Sequence, residues 1–219
     1  MRPVGTCSSF DGGSIVGDML DPIASERVRR FGIPDCLRVP IAAVDEAAIE
    51  TYVGKIISTL SGNMARRAFL IEAHAPPPID PGLGIWKYPA ASILHQPLQV
   101  WVHRDYGSYR RAYQRGFPGV DLRGLVLSHA MNRRLAAWKG FEFVRLTPTS
   151  RAANSSSAFS EGWAIDRHSA EKQIEANRKL GLFVQYADLT DLMLMLDLRL
   201  GGGLMDAVND GQKLLRATF

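Results

Sequence analysis

The stretch Gly124–Trp163, "GLVLSHAMNRRLAAWKGFEFVRLTPTSRAANSSSAFSEGW", decides how the chain is read. "LVLSH" is an apolar run of strand length, and "FEFVRLTP" is a second one, ended by Pro148. Between them, "MNRRLAAWKG" reads as a short helix closed by Gly140, a residue type that tolerates the left-handed turn past a helix end. Strand, helix and strand over residues 124–148 predict a sheet with helices packed on it. Outward from this unit the alternation continues. "LQVWVH" alternates apolar and polar residues as a strand does. "YGSYRRAYQRGF" is expected to be a helix stopped near Gly116 and Pro118. "HSAEKQIEANRKLG" is a helix with Gly181 as its cap, and "LFVQYADL" is a strand. "TDLMLMLDLRLGGG" starts at a Thr190–Asp191 cap and is apolar on nearly every side, so it is expected to be buried. "LMDAVNDGQKLL" gives a last helix. The fold class is therefore α+β, or α/β: a mixed sheet with flanking helices and a helical C-terminal region.

The N-terminal part is less regular. "VDEAAIETYVGKIISTLSG" places Ile49, Val53, Ile56, Ile57 and Leu60 at helical spacing and predicts one helix closed by Gly62. "ARRAFLIEAH" is a short apolar run that suits a strand or a buried helix. Residues 75–97 hold Pro76, Pro77, Pro78, Pro81, Pro89 and Pro97, which rules out long regular structure there. They divide an N-terminal region, 1–97, from a basic domain, 98–219, or form an ordered loop within one continuous domain.

At 219 residues, 46% hydrophobic and 22% charged, the chain has an ordinary globular balance. No apolar run reaches the roughly 18 residues of a membrane span, so no membrane partner is expected. The start "MRPVGTCSSFDGG" lacks a long apolar segment, and the two cysteines, Cys7 and Cys36, form no CxxC. A cytoplasmic setting is expected, and delivery by a specialised secretion route fits the same features.

Charge is concentrated in one segment. From Arg104 to Arg151 stand Arg104, Arg110, Arg111, Arg115, Arg123, Arg133, Arg134, Lys139, Arg145 and Arg151, ten bases against the three acids Asp105, Asp121 and Glu142. That makes the segment +7 in a chain whose formal net charge is +4. Arginine forks onto phosphate, and Tyr106, Tyr109 and Tyr113 interleave with the first bases. Nucleic acid is the expected partner, with Arg110, Arg111, Arg133, Arg134, Lys139, Arg145 and Arg151 as the contacting residues. A solvated helix face with its tyrosines packed inward has the same pattern.

"LVLSHAMNRR…FVRLTPTSRAANSSSAFSE" resembles the histidine–metal finger, or HNH-type, endonucleases over about 40 residues. The resemblance implies a metal-dependent nuclease, of a kind found in bacterial toxins and effectors. His129 takes the place of the general base, and Asn154 that of the metal ligand on the helix after the second strand. Glu161 is a further ligand or a structural cap. The stretch differs from the family pattern at Ser128 and Arg145. A divalent Mg, Mn or Zn ion would be the cofactor, and an inhibitor or partner protein would accompany such a toxin. Read without the resemblance, His129 ends a strand and Asn154, beside "SSS", caps a helix. The alternative function is a non-catalytic nucleic-acid-binding or assembly protein that uses the Arg104–Arg151 surface. No GxSxG, GxxxxGK[ST] or GxGxxG occurs, so the common hydrolase and nucleotide loops are excluded.

Overall fold

A computed structural model describes residues 31–61, 65–157, 170–199, 201 and 203–217. Its centre is a seven-stranded antiparallel sheet: β1 (Pro40–Ala43), β2 (Gly54–Thr59), β3 (Ala68–Ala73), β4 (Leu98–His103), β5 (Leu125–His129), β6 (Phe143–Ser150) and β7 (Val184–Tyr186). The strand order is β2-β3-β4-β6-β1-β7, with β5 paired to β6 off that path. The helices are α1 (Glu46–Tyr52), α2 (Tyr109–Gly116), α3 (Arg133–Lys139), α4 (151–157), α5 (Ala170–Lys179), α6 (Leu189–Met195) and α7 (Leu204–Leu215). The fold is α+β, with strands from both sides of residue 97 interleaved in one sheet.

β6 is the hub, and it changes partners along its length. Val144 and Phe143 lie between β4 and β1, paired to Val102 and His103 on one side and to Ala42 and Ala43 on the other. From Leu146 to Ser150 the strand pairs with β5 instead, running from His129 opposite Leu146 to Leu125 opposite Ser150. Pro148, expected to end the strand, lies inside it opposite Leu127. Proline gives no N–H to a ladder, so a strand tolerates it where one side needs no such bond. Past Arg145, β6 is paired on the β5 side alone.

Two apolar cores flank the sheet. The smaller packs α1 through Ala48 and Ile49 onto Phe69, Ile71, Trp101 and Phe143, all buried. The larger gathers α2, α3, α6 and α7 through residues such as Ala112, Leu135, Leu192, Met193 and Leu214. Leu192–Leu196 are all buried, as their composition predicts. The cap of α6 is Asp188 rather than Thr190–Asp191: its carboxylate accepts from Thr190 and Asp191 N–H, and Asp191 returns a bond to the Asp188 N–H.

One expected element is different. The helix predicted from Val44 to Gly62 ends at Tyr52, and Gly54–Thr59 is β2, paired with β3. A Cβ at Gly54 would stand 2.1 Å from the Glu72 carbonyl oxygen, so glycine alone lets the two backbones meet. Beyond it Ile56, Ile57 and Thr59 are β-branched and favour the pleat.

The start of α4 is tied to the end of α6. Asp197, at φ 59°, accepts from Ser150 N–H at 2.5 Å and Thr149 Oγ1 at 2.9 Å. Burial works to raise its pKa, but these bonds hold it below the usual carboxylate value. Asn tolerates the left-handed conformation, so Asp197→Asn isolates the loss of charge. It is expected to lower stability by about 1–3 kcal/mol in urea melts at pH 7. The difference should close as pH falls through the depressed pKa of Asp197, because there the wild type also loses the carboxylate.

Candidate nucleic-acid interface

β5 delivers His129 to the sheet end where α2 and α3 begin. Its imidazole meets the Tyr109 ring edge-on, with centroids 4.8 Å apart and planes at 65°. Tyr109 is the first residue of α2, and Asn132, three residues after His129, caps α3 by accepting from Arg134 N–H at 2.9 Å. The two helix starts are thereby brought to one histidine. Burial first, and then the positive charge of Arg133, lower the His129 pKa to about 4. The ring is neutral at pH 7, and its Nε2 is buried with no hydrogen-bond partner.

The first turns of α2 and α3 hold Arg110, Arg111, Arg133 and Arg134, all exposed, and no acid. Arg110 reaches the Leu122 carbonyl at 3.4 Å, and none of the four forms an ion pair with another described residue. Cations at the positive end of a helix dipole are unfavourable by a few tenths to about 1 kcal/mol each. The sign is the opposite for an anion, which a helix start and a guanidinium both favour.

The other basic residues take different places. Arg123 is exposed but paired to Asp121 at 2.7 Å. Arg104 and Arg115 reach the carbonyls of Phe141 and Leu60. Lys139 is half-buried, with Nζ on Gln185 Oε1 at 3.2 Å. Arg151 is exposed and opens α4, at the far end of β6 from His129.

Arg145 corrects the expected contact set. It is fully buried, so it cannot reach a phosphate backbone. Its guanidinium donates to the carbonyls of Ile93 and Leu94. Burial lowers its pKa to about 9, although the neighbouring Tyr113 works in the opposite direction. One clue lay in the sequence: Arg145 stands between Val144 and Leu146 in a strand with apolar residues on both faces. It reads as surface only because arginine usually is.

Asn154 is half-buried in α4, where its carbonyl accepts from Ser157 Oγ at 3.0 Å. The register pairs His129 with Leu146, four residues before Ser150, after which α4 begins. At a strand's rise this is roughly 13 Å along the sheet. The pairing alone therefore does not bring His129 and Asn154 together. Glu161 lies outside the described residues. Among the described residues, no three His, Cys, Asp or Glu side chains are grouped so as to hold a metal ion. No described helix is long and apolar enough to cross a membrane. Comparison of the chain with protein-family models, curated proteins and solved structures finds no match.

Proposed function

We propose that this protein binds nucleic acid through the arginine-bearing first turns of α2 and α3, gathered around His129. The observation that carries this reading is the Tyr109–His129 contact, which joins two helix starts with four exposed arginines and no acid. Binding without cleavage is the reading these arginines favour. At a pKa of about 4, with Nε2 covered, His129 is a poor proton acceptor for hydrolysis at neutral pH. The hydrolytic reading, with a divalent ion held by Asn154 and Glu161, rests on the sequence resemblance.

The test is a fluorescence-polarisation titration of labelled DNA and RNA at several salt concentrations. The wild type is compared with a variant in which Arg110, Arg111, Arg133 and Arg134 are all changed to Glu. Each lost phosphate contact removes about 0.9 from the log–log salt slope on duplex DNA, so the slope should flatten by up to about 4. An unchanged affinity and slope would remove the proposal. Digestion of either nucleic acid with Mg²⁺, Mn²⁺ or Zn²⁺, abolished in His129→Ala, would establish the hydrolytic reading instead.

A further inference from the structure

A groove of about 490 Å³ lies between the turn Gly84–Lys87, the end of α6 and the C-terminal half of α7, and none of the arginines of α2 and α3 lines it. Gly84 fixes one wall. A Cβ there would stand 2.6 Å from the Arg216 carbonyl oxygen and 3.0 Å from that of Leu214, so only glycine lets this turn lie on the end of α7. Met193 and Leu214, both buried, and Leu198, packed on the larger core, make an apolar floor. The half-buried Tyr88 stands beside them. Leu198 N–H donates to the Met193 carbonyl at 2.9 Å, which closes the chain back on the end of α6 and places Arg199 at the groove.

Three cations and one carboxylate line this groove: Lys87, Arg199, Lys213 and Asp210. Lys213 and Asp210 answer each other at 2.7 Å. Lys213 also stands in the last turn of α7, where the helix dipole favours a cation. Arg199 is exposed and pairs with no described carboxylate. Three cations against one acid leave the lining a formal charge of +2 above its apolar floor.

Each part restricts the occupant. The volume falls within the range of small-molecule sites, roughly 300–1,000 Å³. A guanidinium forks onto two oxygens of a phosphate or a carboxylate. A phosphate monoester carries about −1.5 to −2 at pH 7, which matches the lining charge, and a carboxylate supplies about half of it. Met193, Leu198 and Leu214 offer no strong hydrogen-bonding group, so a sugar set on them would lose its water without replacement. An aryl or alkyl body has no such cost.

We propose that this groove binds an organic phosphate monoester with an apolar body, its phosphate on Arg199 and its body on Met193, Leu198 and Leu214. The site is distinct from the nucleic-acid interface, and its occupant is a single small molecule.

Naphthyl phosphate, naphthoate, naphthol and inorganic phosphate are titrated at pH 7 and constant ionic strength into protein isotope-labelled at its methionine methyls. Naphthyl phosphate should shift the Met193 methyl signal saturably. Naphthol, which lacks the charge, and inorganic phosphate, which lacks the body, should each bind at least tenfold more weakly. Naphthoate should compete for the same groove with lower affinity. Arg199→Glu reverses an exposed charge without touching the core, and it should weaken naphthyl phosphate tenfold or more, while Arg199→Lys keeps part of the affinity. The variant with Glu at 110, 111, 133 and 134 should bind naphthyl phosphate as the wild type does. No saturable shift at Met193, equal affinity for naphthol or inorganic phosphate, or unchanged affinity in Arg199→Glu would each overturn the proposal. Naphthoate binding as tightly as the phosphate would overturn the choice of phosphate, and loss of binding in the fourfold variant would move the anion to the α2–α3 arginines.

Discussion

Lowering the pH from 7 to 4 is expected to remove about 3 kcal/mol of stability through His129 alone. The pKa of His129 is lowered to about 4 in the folded chain by burial, with the charge of Arg133 adding to it. In the unfolded chain it returns to about 6.5. Between those values the unfolded state binds the proton and the folded state refuses it. The group's contribution is therefore complete above pH 6.5 and is lost progressively as pH falls to about 4. His95 and His103, also lowered chiefly by burial, act in the same direction. Urea melts of wild type and His129→Gln at pH 7 and pH 4 provide the measurement. The variant should lose about 3 kcal/mol less than the wild type over that interval. Parallel losses would show that His129 titrates normally and that Tyr109 does not shield it.

The second large effect lies in the smaller core. Trp101 is fully buried on β4 beneath α1, among Phe69, Ile71 and Phe143, and its Nε1 donates to Gln99 Oε1 at 3.0 Å. Trp101→Ala removes the largest of these side chains at the middle of the sheet. A cost of about 3–5 kcal/mol is expected from the lost burial and the cavity. The amide oxygen of Gln99, itself buried, also loses its donor. Trp101→Phe keeps most of the volume and should recover much of the loss, leaving the hydrogen-bond share. Thermal and urea unfolding of both variants measure the two parts. A Trp101→Ala protein within about 1 kcal/mol of wild type would mean that α1 and the sheet close over the gap.

The sequence stretch around His129 was legible because each element in it carries its own punctuation. β5, α3 and β6 are separated by Asn132, which caps, and Gly140, which takes φ 84°. The failure at Gly54 has a different origin. Ile49, Val53, Ile56, Ile57 and Leu60 satisfy a helical period, yet the deciding contact is with Glu72, on a strand the local pattern does not contain. Pro148 misleads in the same way, since its tolerance depends on which side of β6 is paired. For the candidate site, the exposure of Arg110, Arg111, Arg133 and Arg134 followed from residue type. That Tyr109 would meet His129 did not, because twenty residues separate them and only the packing of α2 against the end of β5 joins them. Arg145 and the Leu94 carbonyl it meets lie still further apart in sequence, and burial of a charge is the feature residue type predicts least well.

The central place of β6 also bears on how the chain is made. β2, β3 and β4 follow one another as neighbouring antiparallel strands and can pair as they leave the ribosome. β1 cannot, because both of its neighbours in the sheet, β6 and β7, are encoded far downstream. Ala42 meets Val144 only after about a hundred further residues are added, which at ribosomal rates takes on the order of 5–20 s. Throughout that interval Ile41, Ala42 and Ala43 are an apolar segment without a strand to pair with. The nascent protein is thus most open to chaperone capture, or to association with another unfinished copy, at a strand that ends up inside its sheet, between β6 and β7.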